Sequence, residues 1–290
     1  MKRPKGSAAP DSTLAIVERE LELRTDGGES KVFVRLRRPV PEGEATFRCD
    51  VEIEGLGDAI STDGVGVDVI QAYELALQSA AIHPLSSPAY QGGQLTFQGS
   101  YDLDLPVPES LRYLIRTDLE RDLVVREMAG KDDSRRRFSE ASLERLQDKS
   151  KVWPDRQDAP VVLERVFDLR RGRKRTAVRV SFHKPIPNRL GHWCAFKIEG
   201  LLAKPHTRKG MLGGDPIESL RNAMKLAMVY IVSSSEYQRG QLTWLGMYDL
   251  DMPIVEEVEP LIRKDLQAKR MAETLMNPPT LRRKARKTAR

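Results

Sequence analysis

The chain has 290 residues, 40% hydrophobic and 31% charged, which is room for about two ordinary domains. No run approaches the ~18 apolar residues that cross a membrane, so no membrane partner is expected. Of the 48 basic residues, Lys2, Arg3, Lys5, Arg282, Arg283, Lys284, Arg286, Lys287 and Arg290 lie at the ends, which leaves 39 against 42 acidic residues over 6–275. The net charge of +6 therefore gives the body of the chain no basic footprint for nucleic acid.

In chain order, Met1–Asp11 carries early positive charge without the apolar run of a secretory signal. Leu14–Leu23 ends in alternation, Thr25-Asp26-Gly27-Gly28 makes a turn, and Val32–Leu36 runs extended up to Pro39. After the loop Pro41-Glu42-Gly43-Glu44, Phe47, Cys49, Val51 and Ile53 alternate as the inward side of a third strand. Three strands joined by short turns predict an antiparallel meander.

A glycine-rich stretch (Gly55, Gly57, Gly64, Gly66) reads as a loop, and a helix follows. Asp68-x-x-Gln71 has capping-box spacing, and Ile70, Tyr73, Leu77 and Ala80 form one apolar face. Gln94–Gln98 reads as a short strand closed by Gly99. Tyr101-Asp102-Leu103-Asp104-x-Pro then leads into a second helix carrying Leu111, Leu114, Ile115 and Leu119.

All of this occurs twice. Residues 94–106 (QLTFQGSYDLDLP) and 241–253 (QLTWLGMYDLDMP) are identical at nine of 13 positions. The flanks repeat too: strands at Val161–Leu169, Ala177–Phe182 and Trp193–Glu199, glycines 200, 210, 213 and 214, and a helix opening at Asp215-Pro216 with Ile217, Leu220, Met224 and Ala227 on its apolar face. The expected architecture is α+β: two copies of a β-β-β-α-β-α unit, each an antiparallel sheet with helices on one face. The expected boundaries are a basic N-terminal tail (1–12), the first unit (13–127), a charged, partly helical connector (128–159), the second unit (160–275) and a basic C-terminal tail (276–290). Trp153-Pro154 in the connector is expected to dock the two copies together.

The sharpest chemical candidates are the repeated carboxylates Asp102/Asp104 and Asp249/Asp251. In an extended segment, residues two apart share a side at roughly 6.5–7 Å, which would suit a cation or acid–base work. A hard cation wants six or more oxygens, however, and no further ligand stands at a defined spacing. A polar turn before a helix explains the same residues. The glycine stretches lack G-x-G-x-x-G and G-K-[ST], and Asp68 and Asp215 would sit where a phosphate should. His83, His183, His192 and His206 form no metal spacing, and Cys49 and Cys194 read as separate inward strand positions, buried thiols of a reducing cytoplasm. No nucleophile–base pair appears, and no cofactor is expected. Arg282, Arg283, Lys284, Arg286, Lys287 and Arg290 form a basic tail available to nucleic acid.

Phe47-x-Cys49-x-Val51-x-Ile53-x-Gly55-Leu56-Gly57, Gly66-Val67-Asp68-x-x-Gln71-Ala72-x-x-Leu75-Ala76-Leu77 and Gly93-Gln94-Leu95-Thr96-Phe97 together resemble a family of small uncharacterised bacterial domains. The second copy follows through Trp193-Cys194, Asp215, Ala223 and Gly240-Gln241-Leu242-Thr243-Trp244, departing at Glu218-Ser219 and in its glycines. The resemblance implies a bacterial, cytoplasmic, compact α+β domain and carries no catalytic residue. The expected function is a non-enzymatic interaction or scaffold protein with a protein partner. The alternatives are nucleic-acid association through the basic termini or a cation-dependent enzyme built on the repeated carboxylates.

Overall fold

The computed structural model describes residues 15–129, 159–201 and 206–276. Alternation makes strand β1 (Ala15–Thr25), with Val17, Arg19 and Leu21 inward and Glu18, Glu20 and Glu22 on the other face. Asp26-Gly27 forms the two-residue turn into β2 (Gly28–Arg37), a connection that an Asp-Gly pair favours. Past Pro39 the chain continues as β3 (Val40–Glu42), and β2 and β3 both pair antiparallel with β4 (Thr46–Glu54). β5 (Ile60–Gly66) pairs with β4, and the short β6 (Leu95–Thr96) pairs with β1.

The glycine-rich stretch is therefore in part a strand and not a loop. Helix α1 (Val69–Ser86) lies so close that a Cβ on Gly64 would sit 2.1 Å from the Ala76 nitrogen, and one on Gly66 2.4 Å from that of Ala72. The glycines admit a helix onto β5. Asp68 caps α1 as its spacing predicts, accepting the Gln71 N–H at 2.8 Å, while the Gln71 side chain accepts the N–H of Val67. Ile70, Tyr73, Leu77 and Ala80 are fully buried.

A single turn, α2 (Pro88–Gln91), precedes β6. The expected second helix is in fact two pieces, a 3₁₀ turn at Glu109–Leu114 and α3 (Thr117–Ala129). Ile115 between them is extended. The Arg116 N–H that would continue a helix goes to the Tyr90 hydroxyl at 3.2 Å, and its guanidinium is held by the Gln91 carbonyl and Asp118.

The second unit repeats the plan with β7 (Val161–Arg171), β8 (Lys174–His183), β9 (Ile186–Asn188), β10 (Gly191–Glu199), β11 (His206–Gly213), α4 (Pro216–Val232), α5 (Ser235–Gln238), β12 (Leu242–Thr243) and α6 (Lys264–Met276). Both six-stranded sheets are antiparallel and share one strand order, so the architecture is α+β in two like units. Even the irregularity near the start of the first strand recurs, at Ala15/Val17 and Val161/Leu163. The outer face of the first sheet carries Arg35 between Glu18 and Glu54, Arg37 on Glu52, and Lys31 on Glu20.

The two units do not sit apart. α1 packs against its own β4 and β5 and against β7 of the other unit, while α4 packs against β10, β11 and β1. The buried apolar side chains of both units form one continuous cluster.

Candidate functional site

One residue on the inner face of each first strand breaks the apolar pattern. Arg19 stands between Val17 and Leu21, fully buried, and Arg165 stands between Leu163 and Phe167, 1% exposed. A buried guanidinium requires a partner for its charge and its donors. Each arginine finds that partner in the other unit. Arg19 donates Nη2 to Asp215 Oδ1 at 3.0 Å and Nε to Oδ2, while Arg165 donates Nε and Nη2 to the two oxygens of Asp68 at 2.6 and 2.7 Å. These are fork-to-fork contacts, the strongest geometry for this pair.

Asp68 and Asp215 thus do two things at once. Each carboxylate caps the helix of its own unit, Asp215 accepting the Glu218 N–H at 2.7 Å, and each also grips the sheet of the other unit. Burial works against the Arg19 charge, and the Asp215 carboxylate overcomes it and raises the arginine further.

The repeated Tyr-Asp-Leu-Asp stretch completes the cradle. Arg19 Nη1 donates to the carbonyls of Leu103 and Asp104, both at 2.7 Å, and Arg165 Nη1 to those of Leu250, at 2.6 Å, and Asp251. Asp104 and Asp251 adopt positive φ, 47° and 46°, a conformation that short polar side chains tolerate better than most. Asp102 and Asp249 hold that bend by accepting the N–H two residues on, at 2.8 and 3.0 Å. The segment bends at Asp104 and Asp251 instead of running extended, so the spacing of two carboxylates on one side of a strand does not apply, and the alternative of a polar segment leading into a helix fits the geometry. Asp104 Oδ2 reaches Arg19 at 3.2 Å, and Asp251 lies 3.9 Å from Arg165. Burial pushes the Asp251 carboxyl up, against the pull of Arg165. The guanidinium faces are covered by Phe97 at 4.3 Å and Trp244 at 4.1 Å from the ring centroids, so these aromatics pack on a cation instead of serving only as core filler.

At equivalent positions α1 and α4 carry unlike residues. Glu74 on α1 and Arg221 on α4 occupy the same place in their copies. Glu74 Oε1 and Arg221 Nε are shut off from solvent without a hydrogen-bond partner, as is the Tyr73 hydroxyl. Arg221 Nη1 crosses to the Asp104 carbonyl at 3.2 Å. Burial raises the Glu74 carboxyl to about 7, against the pull of Arg221 of the second unit. Burial likewise drives the Tyr73 hydroxyl well up.

Beside this polar seam, an apolar groove of about 450 Å³ is lined by Pro39, Phe47 and Val69 of one unit and Val161–Leu163 of the other. Cys49 and Cys194 are free, buried thiols bonded to the carbonyls of Arg37 and His183 at 3.2 and 3.3 Å, with burial raising both. His183 Nδ1 lies 2.6 Å from the Ala159 carbonyl, and His83 is half-buried. Among the described residues no three His, Cys, Asp or Glu side chains gather where they would hold a metal ion, and no helix is long and apolar enough to cross a membrane. Trp153, the connector stretch expected to be helical, the N-terminal tail and the basic tail of Arg282, Arg283, Lys284, Arg286, Lys287 and Arg290 lie outside the described residues.

Arg19, Arg165, Glu74 and Arg221 do not stand out when the sequence is searched for catalytic or metal-binding motifs. The signal for the first two was present: the alternation Val17-x-Arg19-x-Leu21 and its counterpart Leu163-x-Arg165-x-Phe167 point an arginine inward twice. One family model, a domain of unknown function (DUF6968), matches the chain twice, over residues 17–107 and 163–254. No curated protein and no solved structure matches.

Proposed function

The chain belongs to the DUF6968 family through both of its units, and we propose that it is a non-enzymatic interaction protein. In this reading the fused pair is one rigid body that presents a composite surface to a protein partner. The observation that carries the reading is the use made of the repeated motif. The inward arginines and the capping aspartates lock one unit to the other, and the Tyr-Asp-Leu-Asp carbonyls hold each arginine in place within its own unit, so the features shared by both copies serve assembly. The outward sheet face and its charge ladder remain for a partner. Two buried thiols and the resemblance to bacterial domains favour a bacterial cytoplasm.

The test is capture of partners by the full-length protein from its native lysate, with and without nuclease, read by mass spectrometry. A stoichiometric protein that survives nuclease and is lost from an Asp68→Asn/Asp215→Asn variant supports the reading. Partners that vanish with nuclease, or on removal of residues 276–290, would replace it with nucleic-acid association through the basic tail.

A further inference from the structure

The repeated plan makes two corresponding corners between the units. In one, the chain leaving β8 at Lys184 meets the start of β1, and the Lys184 ammonium donates to the Ala15 carbonyl at 3.3 Å. In the other, the chain leaving β2 at Arg38 meets the start of β7, and the apolar groove of about 450 Å³ lies there. The side chains at the two corners have diverged. Arg38 stands where the second unit has Lys184, and Phe47 stands where it has His192. Lys184 is spent on a bond across the junction, whereas Arg38 makes no hydrogen bond or ion pair with any described residue.

The groove has the size and walls of a small-ligand site, which typically measures roughly 300–1,000 Å³ and is mostly apolar with a few polar groups. Phe47, Val69 and Val161 line it and are only half-buried, while Val162 and Leu163 belong to the continuous core, which holds the wall in place. Two charged residues line it as well. Glu164 is already engaged, accepting from the Ser181 hydroxyl at 3.1 Å and lying 3.4 Å from Arg179. Arg38 is not. A cation with unspent donors beside an apolar wall suits a ligand that is anionic at one end and apolar over the rest. The guanidinium fork matches the two oxygens of a carboxylate. A single negative charge is also tolerated by Glu164 on the opposite wall, where a doubly charged phosphate would meet more repulsion. We infer that the groove binds a small monocarboxylate with an apolar tail, of the medium-chain fatty acid class, with its carboxylate on Arg38 and its tail along Phe47, Val69 and Val161. Arg38, Phe47 and Val69 come from the first unit and Val161 from the second, so neither unit holds the site alone.

The inference does not rest on the interaction-protein reading, and its test uses no protein partner. The full-length protein is titrated calorimetrically at neutral pH with decanoate and with decanol, both kept below the concentration at which they aggregate. Decanoate is expected to bind once per chain, and decanol at least about tenfold more weakly, because it lacks the charge that Arg38 would pair. Arg38→Gln should bring decanoate down to the level of decanol and leave decanol unchanged. Phe47→Ala should weaken both compounds alike, since it removes apolar wall and no charge. Equal binding of the two compounds to the wild type, or decanoate binding that Arg38→Gln leaves intact, would overturn the inference. Failure of both compounds to bind would also overturn it and assign the groove to a protein segment. If Phe47→Ala fails to fold, the Arg38→Gln comparison decides alone.

Discussion

At the scale of single residues, the site separates two uses of buried charge. Arg19 and Asp215 are paired bidentate, with the remaining guanidinium donors spent on the Leu103 and Asp104 carbonyls and the Asp104 carboxylate. In such an arrangement removal of one partner is costly, about 3–5 kcal/mol, because an ion is left without compensation. Glu74 has no hydrogen bond on Oε1, and its carboxyl is raised by burial to about 7 despite the opposing pull of Arg221. Its ionisation therefore costs stability instead of adding to it. An unfolded glutamate loses its proton near pH 4.3, so between roughly that pH and about 7 the folded chain holds a proton that the unfolded chain has released. Stability from this group is fully present below the unfolded value, falls as pH rises toward about 7, and levels off above. Glu74→Gln removes the titration. Its melting temperature relative to the wild type should climb from pH 5 to about pH 7 and then level off, and a difference that stays constant over that range would mean the carboxyl is well solvated.

At the scale of elements, close contact between helix and edge strand explains the glycines. A Cβ at Gly64 would overlap the backbone of Ala76, and one at Gly213 would come within 2.2 Å of the Ser219 nitrogen. Backbone has no rotamer with which to yield, so Gly64→Ala must move α1 off β5 and is expected to cost several kcal/mol, toward the upper end of single-residue effects. Gly99→Ala meets no atom within 4 Å and carries only the strain of its φ of 77°, about 1–2 kcal/mol. Urea unfolding of the two variants should separate them by at least 1 kcal/mol, and equal losses would remove the packing account of Gly64. The same contrast explains what the sequence disclosed. The meander and the two capped helices were legible because period-two and period-3.6 patterns and the Asp68 and Asp215 caps are local. β5 and β11 were not, because Gly64, Gly66 and Gly213 answer to a helix that crosses them, and Gly210 to the Trp193 ring, while all read locally as turn formers. The second helix was misread as continuous because Leu111, Leu114, Ile115 and Leu119 keep helical spacing, while the break at Ile115 is imposed by Tyr90 from 26 residues before Arg116. Arg19 could be read as inward from its strand, but its partner lies 196 residues away, beyond any spacing rule.

At the scale of the molecule, the question is whether two units that could each hold a small core behave as one body. The buried apolar residues form a single cluster through both units, and each helix packs on the first strand of the other unit. Opening the junction would expose Arg19 and Arg165 with their aromatic covers and would strand two aspartates at helix caps. These costs fall on both units together, so neither can unfold while the other keeps its contacts intact. Thermal unfolding of the wild type should then be one transition, with the calorimetric and van't Hoff enthalpies in a ratio of about 1. Asp68→Asn/Asp215→Asn is the informative comparison. Asparagine still caps a helix nearly as well as aspartate, so each unit keeps its local structure, while both arginines lose the charge that holds them across the junction. That variant should unfold in two transitions, the lower one concentration-independent because the units remain on one chain. Two transitions already in the wild type would mean that the copies are tethered neighbours, and a single transition in the double variant would place the coupling in the apolar cluster instead of the clamps.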